Sequence, residues 1–228
     1  MHEEAAFLRA LFDAPDDDAV RLVYADWLQE RDDPRAEFLR LDCQLHRMPA
    51  SDRKRPELRK RLAALALTLE PDWVALTRRE SIPDLVESTC HRIERTLPGL
   101  NYVVSLYVHR MPALPDASVE DYLRAAFGEH AGTITTLEID RDEMLGQVDY
   151  GLSYPGDRGA YPPRAALESE EFARHLRTLL GYLRRSADEA TGVWSYSGYS
   201  MFYPVFWDFS FVIVKPLWAV IVHGASSD

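Results

Sequence analysis

Four carboxylates fall within six residues of this chain, at Glu138, Asp140, Asp142 and Glu143. Acids at that density suit two kinds of chemistry. They can surround a hard cation with oxygen ligands, or they can meet the Lys and Arg side chains of a basic partner. Shortly after them comes the run PGDRGAYPPR, residues 155–164, punctuated by Gly and Pro and therefore read as an exposed loop. Tyr154, Asp157, Arg158 and Tyr161 in and beside that loop are residue types that supply interface anchors and charge complementarity. Tyr196 joins them, because the strand phase puts it opposite its neighbours. These nine residues are the candidate partner-binding set; no catalytic residue and no metal ligand is assigned.

The other reactive side chains are weaker candidates. Cys43 and His46 sit three apart on one expected helix, and Cys90 and His91 are adjacent. Adjacent helical residues point about 100° apart, so the second pair is poorly placed to share an ion. His109, His130, His175 and His223 are isolated, and Ser226 and Ser227 are poorly placed as nucleophiles. No P-loop, dinucleotide-binding glycine fingerprint, HExxH or Gly-x-Ser-x-Gly is present, so no cofactor is implied.

With 228 residues, 46% hydrophobic and 11% aromatic, the chain is long and apolar enough for a real core. Its formal net charge is −11, which disfavours a general nucleic-acid or anionic-membrane binder, since neutralising phosphates takes clustered Lys and Arg. Two cysteines, no charged-then-apolar leader and no long apolar span point to a cytoplasmic protein without disulfides.

Residues 3–13 are expected to form a short helix, and Val20, Val23, Tyr24, Trp27 and Leu28 recur at the spacing of a second, with Asp16, Asp17 and Asp18 just ahead of them to cap it. Asp33-Pro34 stops it and restarts a third helix carrying Phe38, Leu41 and Leu45. Trp27 and Phe38 are expected to meet across that turn. Leu58, Leu62, Leu65 and Leu69 mark a fourth helix, whose basic start is expected to pair with nearby acids, and Pro71 opens a turn holding Trp73. From Ser81 another helix runs to Pro98-Gly99, and then the period changes. Strands are expected over 100–108, 133–140, 144–154, 193–203, 205–214 and 217–222, with helices starting at Ser118 and covering Phe172 to Leu183. The aromatics Trp194, Tyr196, Tyr199, Phe202, Tyr203, Phe206, Trp207 and Trp218 crowd the last part, more than one sheet face needs. The architecture is α+β: an all-α domain over 1–80, then an α+β domain over 81–228 with a mostly antiparallel sheet of about six strands and helices on one face.

One stretch resembles a known family. Arg21, Leu22, Tyr24-Ala25-Asp26-Trp27-Leu28, Glu30, Asp33-Pro34 and Glu37-Phe38 agree in order and spacing with the bacterial repeat-companion domain, with a looser match across 3–18. Ala36 stands where that family usually has Gly, and the leucine-rich repeats that often follow it are absent. The resemblance implies a helical accessory or interaction module and transfers no catalytic residue.

The expected function is a non-enzymatic protein–protein interaction protein, an immunity-type or regulatory binder of a basic protein. The alternative is a metal-dependent hydrolase using the Asp140 to Glu143 carboxylates.

Overall fold

The computed structural model describes residues 3–79, 82, 84–128, 134–198 and 206–227. The chain divides into two compact units, the first made of Met1–Leu85 with Arg110–Pro112, the second of Val86–His109 with Ala113–Asp228.

The first unit holds helices α1 (Glu3–Asp13), α2 (Asp18–Gln29), α3 (Arg35–Arg47), α4 (Arg55–Ala66) and α5 (Pro71–Thr77). Local chemistry sets each start. The Asp17 carboxylate accepts from the backbone N–H of Ala19, and Glu70 accepts from that of Trp73. At the α2–α3 turn Asp32 adopts a positive φ of 53°, and Asp33 accepts from both the backbone and the guanidinium of Arg35. The expected hairpin is therefore present, but its aromatic partner differs. Phe38 meets Trp73 edge-on at 5.5 Å, not Trp27, and Trp73 is fully buried with its indole N–H donating to the Tyr24 hydroxyl at 2.9 Å. Trp27 is half-buried against Phe7 and Tyr24, with Arg31 over its ring. The reason is rotational: α2 buries Arg21, Tyr24, Ala25 and Leu28, which turns Val23 and one side of Trp27 outward.

Arg21, part of the family-like motif, is a buried cation that holds this unit together from inside. Its guanidinium donates to the carbonyls of Pro15 and Thr77 and lies 3.4 Å from the Asp42 carboxylate. Arg79 extends the network to Asp42 at 2.9 Å and to Asp18 at 2.6 Å. A second buried cation, Arg110, pairs with Asp72 at 3.0 Å and Asp84 at 3.3 Å. Buried charges survive only when paired in this way. Of the basic run of α4, Arg61 pairs with Glu37 as expected, while Arg55 at the helix start donates to the carbonyls of Leu45 and Met48.

The second unit contains α6 (Leu85–Thr96) from Val86 onward, β1 (Val103–Pro112) as far as His109, α7 (Val119–Phe127), β2 (Thr135–Glu138), α8 (Arg141–Leu152), α9 (Arg164–Leu167), α10 (Glu170–Asp188), β3 (Gly192–Ser197), β4 (Trp207–Val214) and β5 (Trp218–Ser227). The strands form one sheet in the order β1-β5-β4-β3-β2, with β2–β3, β3–β4 and β4–β5 antiparallel. The α+β class holds, with five strands among the described residues. The helix start expected at Ser118 is a complete capping box, Ser118 and Asp121 each accepting from the other's backbone N–H.

One element is corrected. Residues 144–154, read as a strand from their alternation, lie mostly in helix α8. Met144, Val148 and Leu152 are four apart, a spacing that satisfies period 2 and the helical period alike, and Leu145 is also buried, which only the helix explains. The Asp140 carboxylate decides the matter by accepting from the N–H of Glu143. α8 packs on β4 where Gly151 lets the Trp207 and Phe209 rings approach. β3 ends at Ser197, Gly198 has φ of 101°, and the expected continuation through Tyr199, Phe202 and Tyr203 lies outside the described residues.

Candidate functional site

The loop 155–164 is ordered by its own backbone. Asp157 and Ala160 exchange N–H···O bonds at 2.8 and 3.1 Å, closing a small turn, with φ of 85° at Gly156 and 95° at Gly159. At Gly156 any Cβ would collide with Tyr161, so the turn requires glycine there. Tyr161 then exchanges a second pair with Leu100, at 3.0 and 3.1 Å, and Asn101 donates to the Gly159 carbonyl at 3.2 Å. The loop is thus tied to the turn that precedes β1. It presents Asp157 and Arg158 exposed, and Tyr161 and its partner Leu100 are each about half exposed, at 46% and 52%.

Behind the loop runs a ladder of rings. Tyr150 lies 6.1 Å from Tyr154, Tyr154 stacks on Phe206 at 6.2 Å, and Phe206 stacks on Tyr102 at 5.4 Å. Tyr102 is buried and accepts from the Trp207 indole N–H at 2.8 Å. The ladder passes from an exposed ring, Tyr150 at 67% exposure, to a core ring, Tyr102, in three steps. Tyr154 donates to the Asp157 carboxylate at 2.9 Å, and that hydrogen bond holds the phenol's pKa above its ordinary value. Such rigid tyrosines present large contact area with little side-chain entropy to lose.

The other predicted residues are placed elsewhere. Asp140 is the N-cap of α8, and Asp142 and Glu143 occupy its first turn, where the helix dipole favours acids. Arg141 pairs with Asp142 and Asp188. Asp140 and Tyr154 bracket the helix at its two ends, and twelve helical residues span roughly 18 Å. The carboxylates thus lie at the N-terminal end of α8 and Tyr154 just past its C-terminal end, rather than side by side. Glu138 is exposed on the edge strand β2. Tyr196 is corrected outright: it is buried in β3 with its ring 5.9 Å from Phe127, so it is no part of an exposed face. Among the described residues, no three His, Cys, Asp or Glu side chains are grouped closely enough to hold a metal ion. Cys43 is buried while His46 three residues on is exposed.

Sequence reasoning missed Leu100 and Tyr150, whereas Phe206 was already among the aromatics singled out in the last part of the chain. Tyr150 falls within the stretch read as a strand; the Asp140 cap was the available signal that it belongs to a helix. It also missed Ser210, whose hydroxyl lies 2.7 Å from His223 Nδ1 across the β4–β5 pair. Both residues are buried, and burial lowers the His223 pKa against the opposing charge of Asp208. With no access to solvent, this pair is a hydrogen bond of the sheet interior.

Fold and surface together define an α+β protein that presents a clamped loop beside the tyrosines at the end of α8. No protein-family model matches the chain, and no curated protein or solved structure was found to be similar to it.

Proposed function

We propose that this is a non-enzymatic interaction protein whose second unit meets a basic protein partner through Leu100, Tyr150, Tyr154, Asp157, Arg158 and Tyr161. What supports the reading is that Tyr161 of the loop and Leu100 of the turn it is tied to stay exposed although two reciprocal pairs of backbone hydrogen bonds hold the loop. Flexible loops waste binding energy on ordering; this one has little ordering left to do. Residues 81–228 carry 20 acidic and 12 basic side chains, which favours a basic partner over nucleic acid. Neutralising such a partner, as an immunity-type protein in the cytoplasm does, is the finer form of this reading. The first unit serves as the helical accessory module that its family-like motif implies. Among the described residues no helix is long and apolar enough to cross a membrane.

The test is capture from native lysate by wild type and by Arg158→Ala with Tyr161→Ala. Both side chains are exposed, so the double variant keeps its melting temperature and loses what the wild type retains, most strongly at raised salt. Unchanged capture by the folded variant removes the loop from any interface.

A further inference from the structure

The first unit has a surface of its own. α1 and α2 run antiparallel and leave between them an open trough of about 640 Å³ lined by Ala6, Phe7, Ala10, Ala19, Val20, Val23 and Trp27, with Glu3 at one corner. Alanines at three of those positions keep the helices from filling it. Val23 is 58% exposed, Ala6 and Ala19 are exposed, and Phe7, Val20 and Trp27 are half covered. One side of the trough is fixed by Trp27, whose indole N–H donates to Glu3 at 3.1 Å and whose ring lies 5.6 Å from Phe7.

Charge distinguishes the occupants. Residues 3–31 contain eight acids and three arginines. Asp13, Asp16 and Asp17 are exposed where α1 gives way to α2 beside Ala10 and Ala19, and Glu3 and Glu30 at the Trp27 end; Asp26, one turn beyond Val23, is already paired with Arg40 at 2.7 Å. Of the arginines, Arg21 is buried and Arg31 is engaged with Glu3, Glu30 and the Trp27 ring. An anionic membrane and a second copy of this chain would both bring negative charge to a negative rim. From Ala19 to Trp27 the trough spans about 12 Å, or two helical turns, room for apolar side chains at i, i+3 or i+4, and i+7 of a docked helix.

We propose that this trough is a docking groove for a basic amphipathic helix of a partner protein, its apolar stripe seated on Phe7, Val20, Val23 and Trp27 and its flanking Lys or Arg residues facing the acidic rim. The proposal concerns the first unit alone and stands independently of the tyrosine loop.

The test uses the full chain and two synthetic helical peptides of roughly 14 residues, each with Leu at i, i+3, i+4 and i+7 and the flanks either Lys or Glu, followed by fluorescence anisotropy. The Lys peptide binds and the Glu peptide does not, and affinity falls as salt rises. Val23→Gln and Ala6→Gln, two neutral changes at exposed helical positions, each weaken the Lys peptide by tenfold or more, whereas Tyr161→Ala leaves it unchanged. Three results overturn the proposal: no binding, equal binding of both peptides, or undiminished binding by both folded glutamine variants. A wild-type dimer in sedimentation that Val23→Gln dissociates also overturns it, because the occupant would then be a second copy.

Discussion

Trp73 and Trp27 exchange the roles their sequence context suggests, and mutating each to alanine measures the exchange. Trp73 is fully buried between Tyr24 and Phe38 and stands beneath the Arg35 guanidinium, 5.3 Å from the ring centroid. A buried Trp removes about 200 Å² from water, worth about 5 kcal/mol at ~25 cal/mol per Å². Alanine retains roughly 1 kcal/mol of that, and the cavity left behind relaxes in part, so Trp73→Ala costs about 3–5 kcal/mol. Trp27 keeps one face in the open trough, and its contacts with Glu3 and Arg31 are at the surface. Half the area and two weak polar contacts put Trp27→Ala at about 1–2 kcal/mol. The assay is urea unfolding of the full chain followed by far-UV circular dichroism. With slopes of about 1–3 kcal/mol per molar urea, Trp73→Ala lowers the midpoint of the helical unit's transition by more than about 1 M. If Trp27→Ala costs as much as Trp73→Ala, the rotation of α2 described above is wrong, and Trp27 is the core anchor after all.

Asp18 is an acid-sensitive group of the first unit: burial raises its pKa, but hydrogen bonds and charge from Arg79 and Arg47 outweigh this and hold it at about 2, against an ordinary 3.8. Its folded-state pKa is depressed, so its contribution is whole above about pH 4 and is lost as the pH falls towards 2. Asp18→Asn is expected to be less stable than wild type at pH 7 and to match it near pH 2, by thermal melts across that range. Gly151→Ala tests the seat of α8, since the new Cβ would lie 2.9 Å from the buried Trp207 ring. The helix gains about 1 kcal/mol of propensity, the crowding takes more, and calorimetry should find a net loss of about 1–2 kcal/mol in the second unit.

What the sequence disclosed followed from how local each signal is. The capping box at Ser118, the Asp33-Pro34 restart and the stripe of α10 are settled by neighbours within a turn, and they stand in the structure as read. The exposed loop was equally legible from its glycines and prolines. Residues 144–154 were not, because a four-residue spacing serves two periods at once. Trp27 against Trp73, and the burial of Tyr196, depend on which helix or strand lies opposite, and that partner is 40 or more residues away in the chain for the pair Tyr24 and Trp73, 49 apart. The pairing of Leu100 with Tyr161 likewise joins segments that no local pattern connects.

The strand order also gives the sheet an assembly history. β1 lies at one edge with β5 as its neighbour, and the nearest ends of the two, Pro112 and Trp218, are 106 residues apart. β4 and β5 can zip as a local hairpin, but β1 stays without its strand partner through the making of every element between them. Such distant closure slows folding and leaves an unpaired edge available to other chains meanwhile. A premature stop before Trp218 would strip the partner from β1 as well as from β4, exposing two edges at once, so nascent chains cut short there should be conspicuously prone to aggregation.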